Sequence, residues 1–200
     1  MVAPRADAAE GTIVAFGDSL AAGYGLPAED AFPVRLEAYL RERGHDWRVV
    51  NAGVSGDTSA GGLARLDWAL ADEPDLVILE LGSNDGLRGL SAEAMEENLD
   101  RILARLDAAG IKVLLAGMRA PPNLGPDYAE GFEAVYPRLA EKYGVPFYPF
   151  FLDGVAAVPA LNQPDGIHPN EAGVAEIVRR IGPLVERVIA AGTQQEEAGP

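Results

Sequence analysis

The residues of this chain that are best suited to chemistry are a serine near its start and an acid/histidine pair near its end. Ser19 follows an apolar run, in Gly17-Asp18-Ser19-Leu20, and His168 comes three residues after Asp165. A serine hydroxyl becomes a nucleophile when a histidine accepts its proton and a carboxylate orients that histidine. These residue types therefore indicate acyl transfer, provided that the fold brings them together.

Two further segments contain groups that stabilise an oxyanion in such reactions. Gly56 lies in the turn Ser55-Gly56-Asp57-Thr58, where glycine allows a backbone N–H to point outward, and Asn84 carries a carboxamide N–H. Each residue taken alone has an ordinary structural interpretation, because Asp18 and Asn84 are common in Asx turns and Asp165 is a common helix cap. The other histidine, His45, lies in a polar turn and is interpreted as idle.

The pattern around these segments alternates short apolar runs with longer amphipathic ones. It predicts five strands, at residues 12–16, 48–51, 76–81, 112–116 and 146–148. Strand-helix alternation is typical of an α/β fold with a parallel sheet covered by helices on both faces. Because ligands of such sheets bind beyond the carboxyl ends of the strands, we expect the serine, glycine, asparagine and Asp/His segments to meet at that edge.

Five amphipathic helices are predicted between and after the strands. The third begins after Ser91 as N-cap and ends at Gly110; the fourth begins near Asp127, with Glu130 completing a capping box. The last helix is predicted to begin with Pro169. Pro137 is expected to kink or restart the fourth helix, and Pro183 to bend the last one. The single domain is expected to span residues 10–191, followed by a disordered tail at 192–200.

Composition narrows the classes of partner. The 200 residues contain no cysteine and carry a net charge of −15. Cysteine nucleophiles, disulfides and cysteine-type zinc sites are excluded, and binding of nucleic acid or anionic membranes is disfavoured. No apolar run is long enough to span a bilayer, and the first eleven residues lack the apolar segment of a secretory signal. We expect a periplasmic or secreted protein if a leader has been removed, and a cytoplasmic one otherwise.

The four chemical segments resemble, in order, the signature blocks of the SGNH (GDSL) hydrolases, closest to the thioesterase I, lysophospholipase L1 and arylesterase branch. The resemblance implies a flavodoxin-like three-layer α/β/α sandwich with a five-stranded parallel sheet. It also implies that Ser19 is the nucleophile, His168 the base and acid, and Asp165 its orienting partner. The oxyanion hole would consist of the backbone N–H groups of Ser19 and Gly56 and the Asn84 side chain, without metal or cofactor. Ser83 departs from the glycine frequent in this branch and is expected to stiffen the turn that holds Asn84.

The substrate expected from this resemblance and from the sequence is a small acyl ester or thioester of short to medium chain length. The protein itself is expected to be a monomer or a small homo-oligomer. An apolar acyl cleft is predicted, with about half of its candidate residues serving instead as loop anchors. The alternatives are a carbohydrate O-acetyl esterase of the same superfamily and, from another class, a phosphate-binding module. The candidate cleft residues are Leu87, Leu90, Pro121, Pro122, Phe150 and Val155, with Phe151 and Val158 beside them.

Overall fold

Five parallel strands form the centre of the molecule, in the order β2-β1-β3-β4-β5. The structure is a computed structural model that describes residues 9–197. The strands confirm the five predicted ones, with boundaries that differ by up to two residues. They are β1 (Gly11–Gly17), β2 (Trp47–Gly53), β3 (Leu76–Glu80), β4 (Lys112–Ala116) and β5 (Phe147–Tyr148).

Burial explains the order of the strands. All five residues of β3 are buried, and so are the last five of β1, whereas β2 alternates between buried and more exposed positions. A strand that is covered by helices on both faces needs apolar side chains on both, while an edge strand tolerates polar ones. The apolar runs therefore occupy the middle of the sheet.

Helices cover both faces of the sheet. The helices α2 and α7 pack against each other, and α5 packs against both α3 and α6. This arrangement is the three-layer α/β/α sandwich that the sequence predicts, with right-handed crossovers placing the two groups on opposite faces. The helices are α1 (Ser19–Ala22), α2 (Phe32–Arg41), α3 (Ser59–Leu70), α4 (Ser83–Leu87), α5 (Ala92–Ala108), α6 (Pro126–Tyr143) and α7 (Glu171–Glu197).

Two helix starts test the capping predictions in opposite ways. The Ser91 side chain accepts a hydrogen bond from the Ala94 N–H at the start of α5, which confirms that cap. The prediction of a capping box with Asp127 and Glu130 at the start of α6 is wrong, because Gly125 is the N-cap and no side chain caps the helix. Proline at the first helical position has no N–H to satisfy, so α6 begins at Pro126 without a cap. The helix also continues through Pro137 without a restart.

The last helix begins two residues later than the sequence indicates. Pro169 pairs with Asn162 in an isolated antiparallel bridge, and the Asn170 side chain accepts a hydrogen bond from the Gly173 N–H. An asparagine in this place is a better helix N-cap than proline. At its other end α7 continues to Glu197, so residues 192–197 of the expected tail are helical, and residues 198–200 lie outside the described part.

Among residues 9–197, no helix combines the length and the apolar character needed to cross a membrane.

Candidate active site

A hydrogen-bonded chain of three side chains connects the two ends of the sequence. Ser19 is the first residue of α1, directly beyond β1, and its Oγ lies 3.0 Å from His168 Nε2. His168 Nδ1 lies 2.7 Å from Asp165 Oδ2. Because Nδ1 faces a carboxylate, it carries the imidazole proton, which leaves Nε2 free to accept the proton of the Ser19 hydroxyl.

The Asp165 carboxylate is held in place by the segment that follows it. Its Oδ1 accepts the backbone N–H groups of Ile167 and His168, both at 3.0 Å. The backbone N–H of His168, the His168 imidazole and the N–H of Ile167 lower the pKa of the Asp165 carboxyl to about 2. The carboxyl is therefore ionised at neutral pH, as it must be to stabilise a protonated imidazole.

Two residues to which the sequence assigns no role, Tyr24 and Gln163, hold the histidine from its other side. The Tyr24 ring packs against the imidazole of His168, with 4.6 Å between the ring centroids. Gln163 donates its side-chain N–H groups to the Tyr24 and Pro169 carbonyls, and its backbone N–H to the His168 carbonyl. Tyr24 and Gln163 are 139 residues apart, so no local pattern identifies the contact.

Beneath the serine, the buried carboxylate of Asp18 collects hydrogen bonds from two loops. Its Oδ1 accepts the Leu20 N–H at 3.0 Å, which caps α1, and its Oδ2 accepts the Asn84 Nδ2 at 3.0 Å and the Ser83 hydroxyl. Burial raises the pKa of Asp18, and these hydrogen bonds partly offset that effect. Ser83 thus binds the same carboxylate as Asn84, which fixes the turn after β3 relative to Ser19.

A second buried acid, Glu80 at the end of β3, lies behind Asp18. Its Oε2 accepts the Asp18 backbone N–H at 3.3 Å, while its Oε1 has no hydrogen-bond partner in the described part of the chain. Burial and the nearby Asp18 charge raise the pKa of Glu80 well above its usual value, so we interpret it as neutral. Glycine precedes Asp18 because a Cβ on Gly17 would lie 2.5 Å from Glu80 Oε2. A glutamate ending an apolar strand was the sequence signal for this group.

Gly56 lies in the loop after β2, beside the serine loop. Its φ of +85° belongs to the left-handed region that favours glycine. The Val54 N–H donates to the Gly17 carbonyl at 3.1 Å, which joins this loop to the end of β1. On the outer side, Arg88 Nη2 donates to the Gly56 carbonyl at 2.7 Å. Ser19, Gly56 and Asn84 therefore lie in neighbouring segments that follow β1, β2 and β3 at one edge of the sheet.

A cleft of about 510 Å³ opens beside Ser19 and His168. Four of the six predicted cleft residues line it: Leu87, Pro121, Pro122 and Phe150. The sequence signal missed other lining residues from the loops after β4 and β5, among them Met118, Leu152 and Ile167. The Arg119 guanidinium lies over the Phe150 ring, 4.7 Å from its centroid.

Two of the predicted cleft residues, Leu90 and Val155, do not line the cleft. Val155 is fully buried in the core, as is its neighbour Phe151, because both anchor the loop to the sheet. Leu90 follows α4 and is 42% exposed, with its N–H bonded to the Asp85 carbonyl. Apolar character alone does not say whether a loop residue faces the core, the cleft or the solvent.

No cluster of histidine, aspartate and glutamate side chains within residues 9–197 is arranged to hold a metal ion.

Comparison with known proteins gives a consistent set of relatives. A family model described as the GDSL-like lipase/acylhydrolase family matches residues 15–175. Esterase TesA of Pseudomonas aeruginosa is 44% identical over 183 residues, which cover 91% of each chain. The thioesterase 1/protease 1/lysophospholipase L1 of Escherichia coli is 46% identical over 167 residues, covering 83% of this chain and 78% of that one. A crystal structure of TesA superposes with a TM-score of 0.84, covering 88% of this chain and 99% of that one at 44% identity.

Proposed function

The chain belongs to the GDSL-like lipase/acylhydrolase family, the SGNH hydrolases, and from this premise we propose that it hydrolyses carboxylic esters and thioesters with Ser19 as nucleophile. The observation that carries the proposal is the continuous hydrogen-bonded chain from Asp165 through His168 to the Ser19 hydroxyl. The relatives named as an esterase and as a thioesterase and lysophospholipase support the two bond types.

The reaction we propose has two acyl-transfer steps. Ser19 Oγ attacks the carbonyl carbon while His168 Nε2 takes its proton, and the protonated imidazole then gives that proton to the leaving alcohol or thiol. Water repeats the attack on the acyl-serine with His168 again as base, and the acid is released. Asp165 stays ionised throughout and stabilises the positive imidazole, consistent with its lowered pKa.

We assign the oxyanion hole to the backbone N–H groups of Ser19 and Gly56 and to the Asn84 carboxamide. Asn84 Nδ2 carries two hydrogens, of which Asp18 accepts one, so the second is available for the carbonyl oxygen as it becomes negative. Donors fixed in advance stabilise a developing charge without reorganisation, and each is worth about 10²- to 10³-fold in kcat.

The substrate we propose is a neutral ester or thioester with a short to medium acyl chain. A cleft of about 510 Å³ with a largely apolar wall has the size of a small-molecule site and suits a hydrocarbon chain. A net charge of −15 slows the approach of polyanionic thioesters, whereas Arg119 at the cleft wall offsets this locally. A carbohydrate O-acetyl esterase needs polar partners for sugar hydroxyls, and this wall supplies few.

Hydrolysis of p-nitrophenyl esters from acetyl to palmitoyl, together with acetylated xylan, tests the proposal. We expect a maximum at intermediate chain length and a loss of about a millionfold in kcat for Ser19→Ala. Ser91→Ala, which removes an exposed hydroxyl at the start of α5, is the matched control and should keep its activity. Strict preference for acetyl groups would favour the carbohydrate esterase, and a Ser19→Ala protein with most of its activity would refute the nucleophile. Labelling by a fluorophosphonate at Ser19 excludes a passive anion site.

A further inference from the structure

A largely buried arginine joins the two loops that we assign to the oxyanion hole. Arg65 in α3 directs its guanidinium toward the carboxyl ends of β1 and β2, and only 16% of its side chain is exposed. Nη2 donates to the Gly17 carbonyl and Nη1 to the Ala52 carbonyl, both at 2.8 Å. Nε donates to Asp57 Oδ2 at 2.5 Å. Each of the three nitrogens thus has an acceptor on a different residue.

Two of the three acceptors lie close in sequence to the backbone donors of the oxyanion hole, and the third, Ala52, lies in β2 just before the Gly56 loop. Gly17 comes two residues before Ser19, and Asp57 directly follows Gly56. The Gly17 carbonyl also accepts the Val54 N–H, so the arginine adds a second tie to a contact that already joins the two loops. The guanidinium plane is kept in position by the Phe16 ring, whose centroid lies 4.2 Å from Cζ.

We propose that Arg65 is a positioning residue that holds the Ser19 and Gly56 loops at the separation required for both N–H groups to bind one oxyanion. The proposal rests on the function proposed above. The guanidinium fits because it is planar and offers donors in fixed directions, whereas a lysine ammonium is a single point charge that cannot reach three separated acceptors. Loss of this alignment weakens stabilisation of the oxyanion, which exists only after attack.

The predicted kinetic signature is therefore a fall in kcat with little change in KM. Arg65 is not among the residues that line the described cleft, and its hydrogen bonds go to Gly17, Ala52 and Asp57, so binding of the ester should be preserved. A misplacement of catalytic donors by about 1 Å costs on the order of 10²-fold. We expect substitution of Arg65 to lower kcat tenfold to hundredfold, which is less than the loss caused by complete removal of an oxyanion donor.

The experiment compares wild type, Arg65→Lys, Asp57→Ala and the control Arg105→Ala on p-nitrophenyl butyrate. The concentration of active sites is determined by fluorophosphonate titration of a separate sample. The kcat of each protein is then calculated per titratable site, which excludes unfolded protein. Arg105 also bonds an aspartate of α3, Asp67, but on the exposed surface of α5, and its loss should leave kcat within about twofold. The inhibition constant of a trifluoromethyl ketone, which forms an oxyanion with the serine, is measured for each protein.

Arg65→Lys should lower kcat at least tenfold, keep KM within about threefold and weaken the trifluoromethyl ketone by the same factor as kcat/KM. A purely structural role would lower the folded fraction and leave kcat per titrated site and the inhibition constant unchanged, and that result overturns the proposal. If Arg65→Lys does not fold, Asp57→Ala decides, since it removes only the tie beside Gly56 and must lower kcat about threefold or more. Wild-type protein that hydrolyses no ester would instead refute the proposed function.

Discussion

Asp18→Asn is the substitution whose effect follows most directly from the hydrogen bonds beneath the nucleophile. Four donors lie within hydrogen-bonding distance of the buried carboxylate: Leu20 N–H at 3.0 Å and Ser19 Oγ at 3.5 Å on Oδ1, and Ser83 Oγ and Asn84 Nδ2 on Oδ2. An asparagine has the same shape but one acceptor oxygen and one NH₂ group, which donates only. Turned one way, its NH₂ meets the Leu20 N–H, which cannot reverse its role. Turned the other way, its NH₂ meets the Asn84 NH₂, which gives way only if the Asn84 carboxamide flips.

The magnitude follows from the cost of one unsatisfied buried donor, about 1–3 kcal/mol. For a chain of this length that corresponds to a decrease of roughly 2–12 °C in Tm. The backbone N–H of Leu20 cannot rotate, so the amide oxygen should face it, and the NH₂ should face Asn84 and displace its carboxamide. Displacing an oxyanion donor lowers kcat by about 10²-fold.

The assay is thermal unfolding together with ester hydrolysis at pH 8. Asp67→Asn is the control, because its side chain is 82% exposed and should change neither quantity appreciably. We further expect the Asp18→Asn protein to keep KM within about threefold, since the acyl cleft is untouched. A variant with wild-type Tm and kcat would refute the role of Asp18 as the acceptor that positions Asn84.

Three further predictions concern the buried acid, the triad and the core. The pKa of Glu80 is raised on folding, so the folded chain keeps a proton that the unfolded chain loses above about pH 4.5, and the stability of the wild type falls as pH rises. The difference in Tm between Glu80→Gln and wild type should therefore shift in favour of the variant from pH 5 to pH 8. A difference in Tm that is independent of pH would contradict this. The pKa of Asp165, at about 2, keeps that carboxylate ionised across the working range, so protonation of the base His168 alone should lower activity in acid. A plot of log kcat/KM against pH should therefore have a slope of one down to pH 4. A slope of two would show that a second group titrates. Val155→Ala should lower the free energy of unfolding by about 1–3 kcal/mol without changing KM, because Val155 is buried in the core. Phe150→Ala should instead raise KM for longer esters, because Phe150 lines the cleft. Kinetics over a series of acyl chain lengths would distinguish the two effects.

Local pattern was sufficient for the five strands and for the segments that carry the chemistry. The five strands, the Ser91 cap and the positions of Ser19, Gly56 and Asn84 beyond the ends of β1, β2 and β3 follow from periodicity, strand composition and turn residues. The short helices α1 and α4, in which Ser19 and Asn84 lie, are not predicted. These signals depend on neighbours within a few positions along the chain. The sequence pattern predicts the start of α7 two residues too early because Pro169 and Asn170 compete for the same boundary, and the bridge between Pro169 and Asn162 decides between them.

The contacts that the supporting residues make with the site were beyond the reach of such signals. Glu80 contacts Asp18 over a separation of 62 residues, and Arg65 contacts Gly17 over 48. The sequence wrongly predicts Leu90 and Val155 as cleft residues. An apolar side chain tends to avoid water, but its residue type does not indicate whether it packs in the core or lines the cleft.

The sequence by itself determined that a serine, a histidine and an aspartate would follow particular strands of one parallel sheet, since strand and turn chemistry are written locally. Only the tertiary structure decided that Ser19 Oγ lies 3.0 Å from an imidazole 149 residues away, and which buried acids and arginines hold the loops around it. The physical reason is that hydrogen bonds depend on separation in space to a few tenths of an ångström, and packing of the whole sheet and its helices sets that separation.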